Sequence, residues 1–129
     1  MSKEVIYTQL APNPIGIYSQ AIRVEKTVYF SAQAPINPST MKLVDGGIEA
    51  QIHQVFKNLN AISQSFGGNL NDFIKITIFL TNLDNFPLIN KIMSEYFTEP
   101  YPARAVLEVS RLPANADVSV EGILVNTLS

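Results

Sequence analysis

Residues 100–122, PYPARAVLEVSRLPANADVSVEG, contain two segments of alternating character on either side of a turn. Each segment predicts a β-strand, because side chains on a strand point to opposite faces with a period of two. Arg104 and Val106 share one face of the first strand, and Glu121 shares a face of the second strand with Ile123. An arginine and a glutamate therefore project into partly apolar surroundings, where each charge needs a partner because desolvating it alone is costly.

Two helices are predicted upstream of this stretch. Residues 48–66 carry apolar side chains three or four positions apart, the spacing of an amphipathic helix, and Gly67-Gly68 predicts its end in left-handed backbone. A second helix is expected after Asp84 or Asn85, either of which suits its N-cap, with Pro87 in its first turn.

Alternation also predicts a strand over residues 73–80, FIKITIFL. The even-numbered residues from Ile74 to Leu80 are expected on one face and Phe73 on the other. Residues 16–24 and 26–35 predict a hairpin with its turn near Glu25.

Two shorter runs, residues 5–9 and 41–44, predict brief strands. The elements together predict an α+β fold in a single domain over residues 1–129, with about six strands in a mixed sheet and two helices packed on one face. Two helices cover only one face of such a sheet, yet apolar residues are expected on the other face as well: Phe73, Phe79, Ile123 and Val125. Unless loops cover that face, we therefore expect a second copy of the chain to cover it.

The composition narrows the function. A net charge of −2 and dispersed basic residues argue against nucleic-acid binding, which needs clustered Lys and Arg. The chain has no cysteine, so disulfides and thiolate chemistry are excluded. No stretch approaches the roughly 20 apolar residues of a membrane span, and the N-terminus lacks the apolar core of a secretion signal. A cytoplasmic protein with no membrane association is expected.

Several motifs resemble those of the RidA (YjgF-type) reactive-intermediate deaminases. Pro102-Ala103-Arg104, the EVSRLP of residues 108–113 and Val120-Glu121 resemble the C-terminal signature of that family. Residues 16–21, GIYSQA, are similar to its Gly-Pro-Tyr-Ser-Gln-Ala, and Ser31-Ala32-Gln33 to its Ser-Gly-Gln. The matching segments span nearly the whole chain. The resemblance implies a chorismate-mutase-like domain that assembles as a homotrimer with clefts between subunits.

The resemblance also implies catalytic roles for two residues. At the position of Arg104 the family holds the carboxylate of a 2-imino acid, and a guanidinium fork suits a carboxylate bidentately. At the position of Glu121 the family carries a glutamate that handles the attacking water. Burial beside Ile123 and Val125 would raise the pKa of the Glu121 carboxyl, which suits proton transfer.

Four further residues are expected to bind substrate. Tyr18 would close the pocket and Ser31 would supply a donor or acceptor. Ala32 stands where the family has glycine, so its methyl group is expected either to narrow the pocket or to shift the local backbone. Val106 replaces a frequent cysteine, which is expected to change the polarity of the pocket. The loop at residues 98–101 is short.

Structural roles stay open for these residues on the sequence alone. Arg104 can instead form a salt bridge between subunits, with Glu108 or Glu121, and Glu121 can be a solvated glutamate on an edge strand. Tyr18 and Ser31 can be ordinary packing residues. His53, the one histidine, is expected on the surface, and no spacing of His, Asp or Glu resembles a metal site.

The sequence thus favours a 2-iminobutanoate/2-iminopropanoate deaminase that needs neither metal nor cofactor. It would hydrolyse reactive enamines and imines, such as 2-aminoacrylate from pyridoxal-phosphate dehydratases, to 2-oxo acids and ammonia. Its partners would be small imino or 2-oxo acids and further copies of the chain. The alternative is a non-catalytic module that binds a small carboxylate in the same cleft between subunits and regulates a partner.

Overall fold

The computed structural model describes residues 2–126 and places six strands in one sheet and two in a separate ribbon. The strands are, in chain order, β1 Glu4–Ile6, β2 Ala21–Val24, β3 Thr27–Gln33, β4 Ile36–Asn37, β5 Lys42–Leu43, β6 Phe73–Leu80, β7 Ala103–Glu108 and β8 Val118–Val125. The order in the main sheet is β1-β2-β3-β8-β6-β7, and β4 pairs with β5. Only β6 and β7 run parallel; every other pair is antiparallel. The predicted α+β fold with a mixed sheet is confirmed.

Two α-helices, α1 Gly47–Gln64 and α2 Phe86–Met93, cover one face of this sheet. Their apolar faces pack on strands β3, β6 and β8, where the largest side chains are fully buried. At the end of α1, Gly67 has φ 86° and the Gly68 amide donates to the Ser63 carbonyl at 2.9 Å, which caps the helix. Within residues 2–126 neither helix is long and apolar enough to cross a membrane.

Several predicted boundaries differ from the structure. In the predicted hairpin the turn lies at Glu25 as expected, but β2 begins at Ala21 and not at Gly16. Strand β1 ends at Ile6, before the predicted end at residue 9. Asn85 occupies the N-cap of α2, although its side chain makes no capping hydrogen bond there.

The predicted faces of β6 are wrong at its first two residues. Phe73 is 3% exposed and packs in the core, whereas Ile74 is 52% exposed. A register shift between Phe73 and Lys75 causes the difference, because one extra residue in β6 reverses the faces of the residues before it. From Ile76 onward the alternation follows the prediction.

The face of the sheet without helices, here called the outer face, is largely apolar. Its side chains include the apolar or aromatic Tyr29, Phe79, Ala103, Ala105, Leu107, Ile123 and Val125 and the polar Thr27, Lys75, Thr77, Ser119 and Glu121. Tyr29 is 50% exposed and Leu107 45% exposed in the single chain. The expected apolar residues Phe79, Ile123 and Val125 lie there, whereas Phe73 does not. A contiguous apolar face of this kind is typical of a protein interface.

Gly122 is expected to tolerate no side chain. A Cβ atom there would lie 2.7 Å from Cε1 of Phe73 and 2.8 Å from the carbonyl oxygen of Lys75, and the backbone atom cannot move aside. Gly122→Ala should therefore lower the free energy of unfolding by about 1–3 kcal/mol, measured by urea denaturation at fixed protein concentration. Gly16→Ala is the control, because its Cβ would meet nothing closer than 3.5 Å. Equal unfolding midpoints for both variants would contradict the packing described here.

Candidate functional site

Arg104 lies on β7, at the edge of the sheet, and points to the face that carries the helices. Strand register pairs it with the buried Ile76 of β6. Its Nη1 donates a hydrogen bond of 2.7 Å to Oδ1 of Asn90 on α2 and lies 3.6 Å from Sδ of Met93. The carbon of the guanidinium lies 5.2 Å from the centre of the Phe86 ring. The helix α2 therefore fixes the arginine through an amide, a thioether and an aromatic face.

Arg104 has no carboxylate partner among residues 2–126. All its polar contacts there are with neutral groups, so neither Glu108 nor Glu121 of the same chain pairs with it. A half-buried cation without a counter-ion gains free energy when an anion binds beside it. No salt bridge from Arg104 to Glu108 or Glu121 thus forms within the chain, whereas the one considered from the sequence would join two subunits.

An open hollow of about 420 Å³ adjoins the guanidinium. It is lined by Asn90, Met93, Ser94, Tyr101, Pro102 and Arg104. The planar fork of Arg104 supplies donors that match a carboxylate, and the side chains of Met93, Tyr101 and Pro102 supply apolar surface beside it. Chemically, the hollow suits a small molecule with an acid group and an apolar remainder.

Glu121 lies on β8 and is exposed on the outer face. It pairs with Thr77 of β6 on one side. On its other side β3 has a bulge: Phe30 pairs with Gly122 and Gln33 with Val120, so two residues of β3 lie opposite Glu121 alone. The predicted binding residues Ser31 and Ala32 are those two residues, and the fold therefore brings three predicted site residues together.

Ser31 also ties Tyr18 to this group. The Ser31 hydroxyl donates to the carbonyl of Ser19 at 2.6 Å, and the Ser31 amide donates to the carbonyl of Gln20 at 3.0 Å. Tyr18 precedes Ser19 directly and is 49% exposed. Ser31, Ala32 and Glu121 thus lie side by side, and Tyr18 directly precedes the backbone that Ser31 holds.

The two predicted catalytic residues lie on opposite faces of the sheet. Arg104 pairs with Ile76 and Glu121 with Thr77, and adjacent residues on a strand point in opposite directions. Val106 lies on the face of Arg104, half-buried against the core. One chain therefore does not place Arg104 and Glu121 in a common cavity.

Asn90, Phe86 and Tyr101 contribute to the surroundings of Arg104 but were not predicted as site residues. In the sequence Asn90 is one polar residue on a predicted helix. Only the packing of α2 over β7 shows that it contacts the arginine. Tyr101 directly precedes the PAR motif, which is the one signal in the sequence that it lines the hollow.

His53, which was expected on the surface, is half-buried. Its Nδ1 lies 2.7 Å from the hydroxyl of Tyr96, and this hydrogen bond joins α1 to the segment after α2. Burial raises the pKa of the Tyr96 phenol, and the Glu95 carboxylate raises it further. The hydroxyl therefore stays protonated near neutral pH. Within residues 2–126 no three His, Asp or Glu side chains cluster as ligands for a metal ion.

The fold and the site define an α+β protein with a six-stranded mixed sheet. Beside an open hollow it has an arginine with no carboxylate partner in the described chain. A family model described as Endoribonuclease L-PSP matches residues 8–126. A RutC family protein of Pyrococcus abyssi is 46% identical over 95% of this chain and 97% of its own length. A 2-iminobutanoate/2-iminopropanoate deaminase of Dermatophagoides farinae is 44% identical over 95% of this chain and 96% of its own length.

The solved structures agree. The crystal structure of RidA from the Antarctic bacterium Psychrobacter has a TM-score of 0.91 at 43% identity, covering 95% of this chain and 98% of that one. The chain belongs to the RidA (YjgF-type) family.

Arg104 is expected to bind simple carboxylates, with Asn90 orienting it. In an NMR titration with propionate, Arg104→Ala should weaken binding about 10- to 150-fold, the range of a charge-assisted hydrogen bond, and Asn90→Ala about 2- to 13-fold. Lys91→Ala, next to Asn90 but exposed, is the control and should bind like the wild type. Propionamide, which has no charge, should bind to none of them. Unchanged propionate affinity in Arg104→Ala would contradict the assignment.

Proposed function

We propose that this protein is a 2-iminobutanoate/2-iminopropanoate deaminase. It would hydrolyse reactive imines and enamines, such as 2-aminoacrylate released by pyridoxal-phosphate dehydratases, to 2-oxo acids and ammonia. The observation that carries the proposal is the Arg104 guanidinium, which has only neutral partners within residues 2–126 and faces an open hollow. The deaminases named among its relatives, at 44% identity in Dermatophagoides farinae, support the same activity.

In the proposed reaction, Arg104 binds the carboxylate and so fixes the imine carbon next to it. An enamine substrate first tautomerises to the imine. Glu121 takes a proton from water, the water oxygen bonds to the imine carbon, and the nitrogen gains a proton. The hydroxyl of this tetrahedral adduct then passes its proton through Glu121 to the nitrogen, and the carbon–nitrogen bond breaks as the carbonyl forms. Ammonia leaves and the 2-oxo acid remains. Since such imines already hydrolyse in water, positioning and one proton-transfer group supply useful acceleration. The proposal requires neither metal nor cofactor.

We place this reaction between two copies of the chain. Arg104 lies at the β7 edge, and Glu121 lies on the outer face with Tyr18, Ser31 and Ala32. If the β7 edge of one copy meets the outer face of the next, both groups line one cleft, and the apolar outer face is buried in the same step. A closed homotrimer repeats this contact three times. A cytoplasmic location stays a prediction from the sequence.

The alternative is a binding module without catalysis. Arg104 and its hollow lie in one chain, so they can bind a carboxylate even where Glu121 contributes nothing. Binding of a 2-oxo acid that depends on Arg104, together with no turnover of any imine, would favour this alternative. RNA cleavage, which the description of the family model suggests, is disfavoured by the net charge of −2 and the dispersed basic residues.

The proposed activity is tested by generating imines with an amino-acid oxidase or a threonine dehydratase and following their disappearance. Arg104→Ala should lower kcat/KM about 10- to 150-fold because the carboxylate loses its charged partner. Glu121→Gln should lower kcat about 100-fold or more because the water loses its base. Glu108→Gln is the control, since that strand glutamate instead accepts a hydrogen bond from the Leu83 amide. No acceleration by the wild type, or full activity in Arg104→Ala, would overturn the proposal.

The shared site is tested by complementation. Arg104→Ala and Glu121→Gln chains, each with strongly reduced activity, are unfolded together and refolded as a mixture. Sites between copies then combine an intact Arg104 from one chain with an intact Glu121 from the other in about a quarter of cases. The mixture should therefore regain about a quarter of wild-type activity. Activity no higher than that of either variant alone would show that the two residues do not share a site between copies.

A further inference from the structure

Gln20 is a buried polar residue, 1% exposed, at the end of the loop that carries Tyr18. Its Oε1 accepts a hydrogen bond from the Thr8 amide at 2.8 Å. Its Nε2 donates to the carbonyls of Thr8 at 3.0 Å, Pro12 at 2.9 Å and, more weakly, Ala11 at 3.4 Å. One side-chain amide therefore joins both ends of the loop from Thr8 to Gln20.

The middle of this loop has few other attachments. Ile15 is 86% exposed, and Ile17 and Tyr18 are exposed as well. Among the described residues, the one side-chain hydrogen bond to residues 13–18, the middle of the loop, is from the Tyr7 hydroxyl to Asn13. The position of Tyr18 therefore depends on the anchored ends of the loop.

Two anchors meet next to Tyr18. Ser31 holds the carbonyls of Ser19 and Gln20 from β3, and the Gln20 side chain holds the other end of the loop. Removal of the Gln20 amide leaves the backbone groups of Thr8, Ala11 and Pro12 without the partner that they have in this buried side chain. An unsatisfied buried group costs free energy, so the loop would move to rehydrate them.

We infer that Gln20 is a positioning residue that holds Tyr18 beside Ser31 and Glu121 in the proposed site. This inference rests on the proposed function. Gln20 does not touch the substrate; its amide sets the path of the loop, and the loop sets the position of the Tyr18 ring. Loss of the Gln20 side-chain amide should therefore reduce catalysis only by displacing Tyr18.

The chain offers a matched control in Gln51. It is also buried, 4% exposed, and also bonds through both ends of its amide, to the Asp117 carboxylate at 3.1 Å and from the Asp117 amide at 2.8 Å. These bonds tie α1 to Asp117, which directly precedes β8, and they make no contact with the loop from Thr8 to Gln20. Gln51→Met removes a comparable buried network without touching the loop.

The test is a double-mutant cycle on imine hydrolysis at a temperature where every variant is folded. Gln20→Met should lower kcat/KM about tenfold in the wild-type background and less than about twofold in Tyr18→Ala, because the two residues act as one unit. Gln51→Met should leave kcat/KM within about twofold in both backgrounds. Equal losses from Gln20→Met in both backgrounds, or equal losses from Gln20→Met and Gln51→Met, would overturn the inference.

Amide hydrogen exchange provides a readout that does not depend on activity. Exchange at the Thr8 amide, which donates to the Gln20 side chain, and at the Ser31 amide, which donates to the Gln20 carbonyl, should accelerate about tenfold or more in Gln20→Met and stay unchanged in Gln51→Met. An inactive wild type would refute the proposed function, whereas an active wild type with unchanged exchange in Gln20→Met would refute the role of Gln20. If Gln20→Met does not fold, Gln20→Asn, which shortens the side chain by one methylene, takes its place. Failure of both to fold would make Gln20 a general core residue and overturn the inference.

Discussion

The hydrogen-bonded register of β6 is the constraint on which the arrangement of the site depends. Strand β6 lies between β7 and β8, and its neighbouring residues Ile76 and Thr77 point to opposite faces. Ile76 pairs with Arg104 and Thr77 with Glu121, so the two charges are assigned to opposite faces. A slip of one residue in either pairing would place both charges on one face, but it would also turn the buried apolar set of that strand toward water.

The surroundings of Arg104 follow from this register. Placed on the helix-bearing face at the edge of the sheet, the guanidinium contacts α2, which offers an amide oxygen, a sulfur and an aromatic ring but no carboxylate. These neutral contacts hold the cation in place without cancelling its charge. An anionic ligand then gains the full attraction of the fork, whereas a permanent ion pair would compete with it.

The exposure of the outer face follows from the same alternation of side chains along β6. Because both helices pack on the face of Ile76, the side chains that alternate with it remain uncovered in the single chain: these include Phe79, Leu107, Ile123 and Glu121. A carboxylate surrounded by apolar side chains becomes partly desolvated when a partner covers them. The same event that buries the apolar area would therefore also bury Glu121.

The sequence by itself determined where the two helices and most of the strands lie. It also determined which neighbours share a strand face with Arg104 and with Glu121. Apolar spacing located α1, and alternation placed Arg104 with Val106 and Glu121 with Ile123, because period and polarity are local properties of the chain. Tertiary structure alone decided the rest. The bulge in β6 turned Phe73 into the core, the bulge in β3 set Ser31 and Ala32 against Glu121, and the packing of α2 brought Asn90 to Arg104. Each of these depends on pairing and packing between segments distant in the chain, and a local pattern holds no information about which residue of one segment lies against which residue of another.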